Sequence, residues 1–595
     1  MAMSLRVFTP SSWLPAAFAC AVLAVMACAK PSTGVLLPSS GKRAESSRGM
    51  VAASHPDAVA AGVEILRLGG NAVDAAVATG FALSVTDISQ TGLGGGGALM
   101  FYDAKRKRVE HKLFYPRAGS DAAWGRADSS GVARGAGRAA AIPGMVAGLL
   151  ESHRALGKLT RAQVMAPAIR LASGGFIVSP LLARTIASSR AKLMADSAAA
   201  RLFFPQGMPL RPGERLVQQE LARTLQRIAA EGESAFYTGL IAQHLSDKVR
   251  AQSGLITVSD MANYKTAIER PLCAEWLGYS VLSAPPPMGG VGVLEMLQIA
   301  EVSGLTKAGG FTEQPDAVAT LADVMRVGGA DAGRWRGDPF AQSVPARGAT
   351  SAAYAKARAA LVAGPLADTV LAGDPWQFDS TAPPSACAAY DPYPAAVRGA
   401  DAVSGARESY DDATAANGSL TSHMSVVDGD GNAVSATTTV GALFGSGVYT
   451  DGFFLNSSAA NFDARTRGPN RFANTTMAPT MVLDRGRVRL VVGAAGSQYI
   501  QPAIVQVLLR ILAFGEDPGL AVAAPRIHAS TSQTEVEVEP GYSTAVYGAL
   551  VARGYQPLSR VADIAFGGVH AVFIAKDGKR IGVADPRRDG IAGGY

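Results

Sequence analysis

The sequence predicts an α+β fold built as a layered sandwich, in which helices cover the outer faces of strands. Two observations carry this prediction. Apolar residues recur at helical spacing over residues 143–250, which indicates a long run of amphipathic helices. After Leu420 the pattern changes to short alternating or β-branched runs that Gly and Asp turns separate. These runs predict strands at residues 424–428, 432–439, 481–483 and 488–492.

Two adjacent helices are predicted where the folded region begins, near Met50. His55 and Pro56 open an amphipathic helix that runs to Leu68, and the Gly-Gly pair after it ends the helix. Asn71 then caps the next helix. The glycine-rich stretch that follows precedes a strand and lacks the GK[ST] ending of a phosphate loop, so we reject a nucleotide site there.

Two later segments complete the predicted organisation. Residues 363–417 are rich in Ala, Pro, Ser and Asp and show little periodicity, which predicts a mobile linker. Residues 500–514 have the pattern of a helix, and a mixed region follows them to the C-terminus.

The first residues have the pattern of an export signal. Arg6 precedes a mostly apolar run over residues 14–26, which is short for a membrane-spanning helix. The ending VMAC resembles a bacterial lipoprotein cleavage box in which Cys28 becomes the lipidated first residue; a plain secretory signal is the alternative. We therefore expect a signal peptide over residues 1–27, a Ser-, Pro- and Gly-rich tether over residues 28–48, and a periplasmic protein anchored at a membrane.

The cysteines and the composition narrow the possible functions. Beyond Cys28 the mature chain has Cys273 and Cys387, and the sequence leaves open whether they pair. A hydrophobic content of 48% with 17% charged residues permits a sizeable core and excludes the disordered class. The net charge of +7 comes from scattered Lys and Arg, so no nucleic-acid partner is predicted. Because the sequence has no HExxH, CxxC or GxSxG motif, we predict neither a metal, a cofactor nor a serine-hydrolase elbow.

Thr421 is the candidate nucleophile. It follows the predicted linker and opens a predicted strand in the stretch NGSLTSHMSVVDGDGNAVS. A threonine hydroxyl needs an adjacent base, and a chain that breaks between Leu420 and Thr421 supplies one as the new α-amino group. With an ordinary pKa of about 7.7–8.0, that amine is partly neutral at physiological pH and accepts the hydroxyl proton.

The residues TSHMSVVDGDGNAVS (421–435) resemble the start of the small subunit in the γ-glutamyltransferase family. Further segments resemble family segments in the same order: MVAASHPDAVAAGVEILRLGGNAVDAAVA, GLGGGGALMFYDA, IPGMVAGLLESHRALGKL, APAIRLASGGFIVSP, PPPMGG, MAPTMVL and ADPRRDG. The resemblance covers nearly all of the chain from residue 49 onward. It implies a four-layer αββα sandwich of the N-terminal nucleophile hydrolase type, with a large subunit of residues 49–420 and a small one of residues 421–595.

The resemblance also implies roles for individual residues. Thr421 corresponds to the nucleophile, and Thr439 to a second threonine whose hydroxyl orients it. Gly496 and Ser497 stand where the family has a Gly-Gly pair whose backbone N–H groups form the oxyanion hole. Thr475 and Thr476 take the place of a Ser-Ser pair that holds the substrate carboxylate.

Other positions depart from the family pattern, and all of them belong to the part of the site that the resemblance assigns to substrate binding. The arginine that binds the α-carboxylate has no clear counterpart, because Phe114 or Tyr115 stands there and Arg117 is out of register. Asn461 replaces the usual aspartate for the α-ammonium group, and Gly441 replaces a polar residue. The catalytic groups are therefore kept, while recognition of a γ-glutamyl head group is weakened.

Three functions follow from these residues. The first is a γ-glutamyltransferase or glutathione hydrolase that forms an acyl-enzyme on Thr421 and passes the acyl group to water or an amino acceptor. The second is an amidase or acylase of the same fold that takes another acyl group. The third is a surface lipoprotein without turnover. The expected partners are the two subunits, a small-molecule or peptide substrate, and a membrane reached through Cys28.

Overall fold

Two facing antiparallel sheets form the centre of the molecule, and both take strands from either side of Leu420. The computed structural model describes residues 42–125, 136–311, 314–362, 364–398, 419–462, 467–564 and 566–595. The strands, in chain order, are β1 (Arg43–Ser46), β2 (Met50–Ala53), β3 (Gly96–Asp103), β4 (Arg108–Phe114), β5 (Phe176–Ile177), β6 (Arg215–Leu216), β7 (Ala267–Glu269), β8 (Leu272–Trp276), β9 (Tyr279–Ser283), β10 (Ser419–Val427), β11 (Ala433–Ala442), β12 (Tyr449–Thr450), β13 (Phe453–Phe454), β14 (Thr480–Asp484), β15 (Arg487–Ala495), β16 (Ile527–Ala529), β17 (Glu535–Val538), β18 (Gln556–Ser559), β19 (Gly568–Ile574), β20 (Arg580–Ala584) and β21 (Ile591–Gly594).

Sheet I has the strand order β21-β2-β10-β11-β3-β4-β7, and sheet II has the order β1-β20-β19-β15-β14-β9-β8. The central pair of sheet I is the β10–β11 hairpin, whose strands are buried along almost their whole length. β10 and β11 pack against β15 and β19 of sheet II. The predicted strands in the C-terminal part are thus confirmed, each a few residues longer than the sequence pattern indicates.

The helices cover the two outer faces and the rim. In chain order they are α1 (Pro56–Arg67), α2 (Ala72–Thr86), α3 (Ala136–Ala139), α4 (Met145–Leu156), α5 (Arg161–Gly174), α6 (Pro180–Ser188), α7 (Arg190–Met194), α8 (Ser197–Phe203), α9 (Gln219–Glu231), α10 (Glu233–Tyr237), α11 (Leu240–Ala251), α12 (Val258–Ala262), α13 (Gly290–Val302), α14 (Pro315–Trp335), α15 (Ala346–Ala349), α16 (Ala352–Ala359), α17 (Ser385–Ala388), α18 (Ile500–Leu508), α19 (Pro518–Ala523) and α20 (Thr544–Arg553). α1 and α2 pack on sheet I, whereas α13 and α18 pack on sheet II. The αββα layering is therefore confirmed.

Helix ends follow the signals in the sequence. His55 and Asn71 are the N-caps of α1 and α2, and Asn71 forms a capping box with Asp74. The predicted C-terminal helix divides into α18 and a π-helical turn over Leu509–Ala513. In the part of the chain that the structure describes, no helix is both long and apolar enough to cross a bilayer.

Two expectations need correction. The fold begins before Met50, because β1 lies within the segment assigned to the tether and pairs with β20. The part of that segment up to residue 41 lies outside the described residues. The linker assignment is wrong for residues 364–398, which pack on the body: the Asp379 carboxylate accepts the N–H of Gly348 at 2.7 Å. Cys387 in this segment forms a disulfide with Cys273 of β8, which answers the pairing question.

The interface between the sheets contains hydrogen bonds as well as apolar contacts. The Ser425 hydroxyl of β10 donates to the carbonyl of His570 on β19 at 3.0 Å, and the Ser435 hydroxyl of β11 donates to that of Val492 at 3.0 Å. His423 lies between the layers against Gly493, where a Cβ would come within 2.2 Å of the ring. Burial lowers the pKa of His423, so the imidazole is neutral.

We predict that Gly493→Ala destabilises the protein, because the added methyl group forces His423 and the two sheets apart. Overpacking of this kind costs about 1–3 kcal/mol. Gly548→Ala is the matched control, since the same methyl group at this exposed position of α20 meets no atom within 4 Å. We expect it to stabilise by about 0.5–1 kcal/mol. Equal unfolding midpoints in guanidinium for the two variants would contradict the packing argument.

Candidate active site

Thr421 lies opposite a β-bulge in the central hairpin. Leu420 pairs with Gly441 and Ser422 pairs with Thr438, so two residues of β11 face the single residue Thr421. A bulge of this kind bends the strand that carries the extra residue and interrupts the regular ladder. Thr421 is buried, with 3% of its surface exposed. The hairpin is therefore irregular at the residue that the sequence marks as a nucleophile.

The carbonyl before Thr421 is held by Thr439. The Thr439 hydroxyl donates to the Leu420 carbonyl oxygen at 2.7 Å. The Gly441 N–H donates in turn to the Thr439 hydroxyl oxygen at 2.8 Å. In the intact chain Thr439 thus contacts the carbonyl of the predicted cleavage bond, whereas the family resemblance implies a contact with the nucleophile's hydroxyl. A hydroxyl in this position stabilises negative charge on the Leu420 oxygen during attack.

Gly441 is required by this geometry. Its φ is +87°, and a Cβ there would lie 2.4 Å from the Ser457 hydroxyl. That hydroxyl accepts the N–H of Ala442 at 2.9 Å. The polar side chain that the family pattern leads one to expect at 441 would thus collide with Ser457 in this backbone conformation.

The turn at Gly496 and Ser497 adjoins β10 and has two consecutive residues with positive φ. Gly496 has a φ of +131° and Ser497 a φ of +53°, and the 3-10 turn Ser497–Tyr499 contacts β10. A left-handed conformation costs a non-glycine residue about 1–2 kcal/mol. The Thr476 hydroxyl donates to the Ser497 carbonyl at 2.8 Å and helps hold this turn. The turn therefore keeps this conformation with Ser497 at the place of the family's second glycine, although a serine there carries the cost of a positive φ.

Tyr115 connects the predicted substrate residues. Its phenol oxygen accepts a hydrogen bond from the Asn461 amide at 3.1 Å. Burial raises the pKa of Tyr115, although the side chains of Asn461, Thr475 and Ser458 oppose the shift. The phenol is therefore neutral, and so is its amide partner. Both charges of the family's head-group site are absent at these positions.

The other two candidates for the missing arginine lie elsewhere. Phe114 is fully buried and packs so closely on α4 that a Cβ at Gly148 would lie 2.0 Å from its ring. The Arg117 guanidinium donates to the Asn470 carbonyl at 3.0 Å and stacks on Phe472. Neither of these two side chains hydrogen-bonds Asn461 as Tyr115 does.

A cavity of about 340 Å³ opens beside Thr476 and Gln498. Its wall includes Arg336, whose positive charge acts on the Tyr115 phenol. Gln501 also faces the cavity; it is buried, and its Nε2 donates to no polar atom in the described part of the chain. Met296, Met325, His528, Glu535 and Glu537 are among the other lining residues. The cavity wall thus combines apolar side chains with a guanidinium, side-chain amides and two carboxyl groups.

The structure brings the sequence-predicted residues into two groups. Thr439 and Gly441 lie at the bond before Thr421, while Thr476 contacts the 496–497 turn and Asn461 contacts Tyr115. The roles of these residues stay predictions. Cys28 lies outside the described residues.

Sequence reasoning missed Arg336, Gln501, Ser457 and the buried groups Asp87, Gln90 and Arg588 near Thr421. Only Arg588 carried a signal, since it belongs to the ADPRRDG segment that resembles the family.

The chain matches the gamma-glutamyltranspeptidase family model over residues 58–595. It is 34% identical over 579 residues to the acylase ACY 1 proenzyme of Pseudomonas sp. (strain V22), covering 93% of this chain and 95% of the relative. It is 32% identical over 561 residues to the glutathione hydrolase proenzyme of Bacillus subtilis (strain 168), covering 91% of each. The crystal structure of cephalosporin acylase from Bacillus halodurans has a TM-score of 0.79 at 25% identity, over 94% of this chain and 98% of that one.

We predict that Thr439→Val slows cleavage before Thr421 by about 10²–10³-fold, because valine keeps the shape but removes the donor to the Leu420 carbonyl. Thr439→Ser keeps the hydroxyl and should cleave at a rate close to wild type. Thr421→Ala should stay in one piece. Time courses on denaturing gels measure all three, and wild-type cleavage in the Val variant would remove Thr439 from the reaction.

Proposed function

This chain belongs to the gamma-glutamyltranspeptidase family of self-processing hydrolases, and on that premise we propose that it is an acylase. It cleaves an amide bond whose acyl group lacks the complete zwitterionic head of a γ-glutamyl group. The observation that carries the proposal is the neutral Tyr115–Asn461 contact at the place where the family binds opposite charges. The acylase ACY 1 proenzyme and the cephalosporin acylase structure support it as relatives.

Self-cleavage prepares the catalyst. The Thr421 hydroxyl attacks the Leu420 carbonyl, the C–N bond breaks, and the proton ends on the released amine, which leaves an ester. Water then hydrolyses the ester and frees the Thr421 hydroxyl. The two products are a large subunit ending at Leu420 and a small subunit that begins with the nucleophile and its own base.

Turnover repeats the attack on a substrate amide. The α-amine of Thr421 accepts the hydroxyl proton and gives it to the leaving amine as the acyl-enzyme forms. In this proposal the backbone N–H groups of residues 496 and 497 stabilise the oxyanion, and the contact between the turn and β10 supports the assignment. The acyl chain extends past Thr476 into the cavity, where Met296 and Met325 contact its apolar part and Arg336 attracts a distal carboxylate. Water or an amino acceptor then releases the acyl group.

A γ-glutamyltransferase or glutathione hydrolase is the second candidate. Thr475 and Thr476 retain hydroxyls at the place of the family's carboxylate-binding pair, and Arg336 supplies a positive charge nearby. The glutathione hydrolase proenzyme of Bacillus subtilis (strain 168) supports this reading as a relative. At residue 461 itself an uncharged amide stands where the family has a carboxylate for the α-ammonium group.

We predict that the processed enzyme discriminates poorly, by less than about tenfold, between γ-glutamyl anilide and glutaryl anilide, which lacks only the α-amino group. Asn461→Asp should raise kcat/KM for γ-glutamyl anilide by about 10–100-fold, because a charge-assisted hydrogen bond contributes roughly 1.5–3 kcal/mol. The glutaryl anilide should gain nothing. The matched control is Asn470→Asp, the same change at an exposed position outside the cavity. A wild-type preference for γ-glutamyl of more than about 100-fold would favour the second candidate.

We also propose that the protein is exported and anchored through a lipid on Cys28, on the strength of the apolar run and the VMAC ending. Mass spectrometry of the mature N-terminus should find a diacylated cysteine at residue 28, and Cys28→Ser should release the protein from membranes. An unmodified N-terminus at another residue would exclude the anchor while leaving export intact.

A further inference from the structure

A buried cluster of polar side chains lies beside Thr421. The Ser422 hydroxyl donates to the Asp87 carboxylate, and the Gln90 amide donates to the same carboxylate at 2.6 Å. Arg588 donates to the Gln90 side-chain oxygen and, through the same nitrogen, to the Thr421 carbonyl at 3.3 Å. These side chains are almost fully buried. This cluster of polar side chains therefore contacts the backbone of Thr421 and the side chain of Ser422.

The segment that carries Asp87 and Gln90 also holds the opposite strand. It follows α2, and its backbone carbonyl at Gln90 accepts the N–H of Val440 at 2.9 Å. The Thr91 hydroxyl donates to that of Thr438 at 2.9 Å. Both strands of the bulge are thus fixed by one segment, and Arg588 adds a contact from the connection between β20 and β21.

The charges in this cluster balance each other. Burial raises the pKa of Asp87 to about 7, with Ser422, Arg588 and Gln90 opposing the shift and Asp589 adding to it. Burial lowers the pKa of Arg588 to about 10, although Asp87, Asp585, Asp563 and Asp589 all act to raise it. Arg588 is therefore a cation at neutral pH, and Asp87 is the titratable group of the cluster.

We propose that Asp87 is a positioning residue for self-cleavage, which holds the bulge through Ser422 and, through Gln90 and Arg588, the carbonyl of Thr421. This inference rests on the self-processing reaction of the proposed function. Asp87 takes no proton in that reaction, because the proton of the Thr421 hydroxyl passes to the leaving nitrogen. Its contribution is to keep the hydroxyl directed at the Leu420 carbonyl carbon while Thr439 stabilises the oxygen.

Self-cleavage should then depend on the charge of Asp87. Protonation below about pH 7 removes the negative charge that accepts from Ser422 and balances Arg588. The cleavage rate should therefore fall as the pH drops through this range and level off above it. The α-amine of Thr421 does not exist in the precursor, so its titration does not affect the pH dependence of cleavage.

The test is cleavage of full-length protein made by cell-free synthesis and shifted to buffers between about pH 5.5 and pH 8.5, followed on denaturing gels. Asp87→Asn keeps the size and an acceptor oxygen but removes the charge. We expect it to cleave at least about tenfold more slowly at pH 8 and to lose the pH dependence near 7. Ser422→Ala, which removes one contact and leaves Asp87 in place, should slow cleavage while keeping that dependence.

Asp428→Asn is the matched control. Asp428 is a buried carboxyl on the same hairpin whose pKa burial also raises, but it caps the opposite end, where it accepts the N–H of Ala72 at 3.0 Å. It should cleave at the wild-type rate with the wild-type pH profile. If circular dichroism shows that Asp87→Asn does not fold, the cleavage rate of Ser422→Ala decides whether the proposal stands.

The inference is overturned if folded Asp87→Asn cleaves with the wild-type rate and pH profile, or if Ser422→Ala does so when the Asn variant is unfolded. A wild-type protein that never cleaves at any pH contradicts the proposed function itself, so the two failures are distinguishable.

Discussion

The bulge at Thr421 is the constraint on which the rest of the site depends. Two residues of β11 lie opposite Thr421, so Thr439 is released from regular pairing with β10. Its hydroxyl donates to the Leu420 carbonyl. Because the hairpin lies inside sheet I and is buried between two layers, it has little freedom to relax into regular pairing. The fold thus fixes the peptide bond before Thr421, which is the predicted cleavage site.

The same layering explains how the protein survives its own cleavage. Each sheet takes strands from both sides of Leu420: β2, β3 and β4 join β10 and β11 in sheet I, and β8 and β9 join β14 and β15 in sheet II. A cut before Thr421 separates the chain but leaves these ladders and the buried contacts between the sheets in place. The new N-terminus therefore forms at a site that is already assembled around it.

Much of the architecture could be predicted from local patterns, because helix caps and strand periodicity are short-range signals. His55 and Asn71 marked two helix starts, and the β-branched runs after Leu420 marked the hairpin. What escaped prediction depends on contacts between segments distant in sequence. Arg588 reaches Thr421 across 167 residues, and Asp87 reaches Ser422 across 335. Residues 364–398 were also misjudged, since a disulfide and buried side chains order a segment whose composition indicates a linker.

The predicted catalytic groups and the predicted recognition groups are held in place in different ways. The groups around the bulge are largely backbone donors and hydroxyls on strands, so the sheets themselves fix their positions, as the Gly441 N–H and the 496–497 turn illustrate. The recognition groups are single side chains on connections, where one replacement changes the charge without disturbing a strand. Tyr115 follows β4 directly, Asn461 ends a 3-10 turn, and the two side chains share a neutral hydrogen bond. The change of substrate that we propose would therefore require no change in the strands that hold the predicted nucleophile.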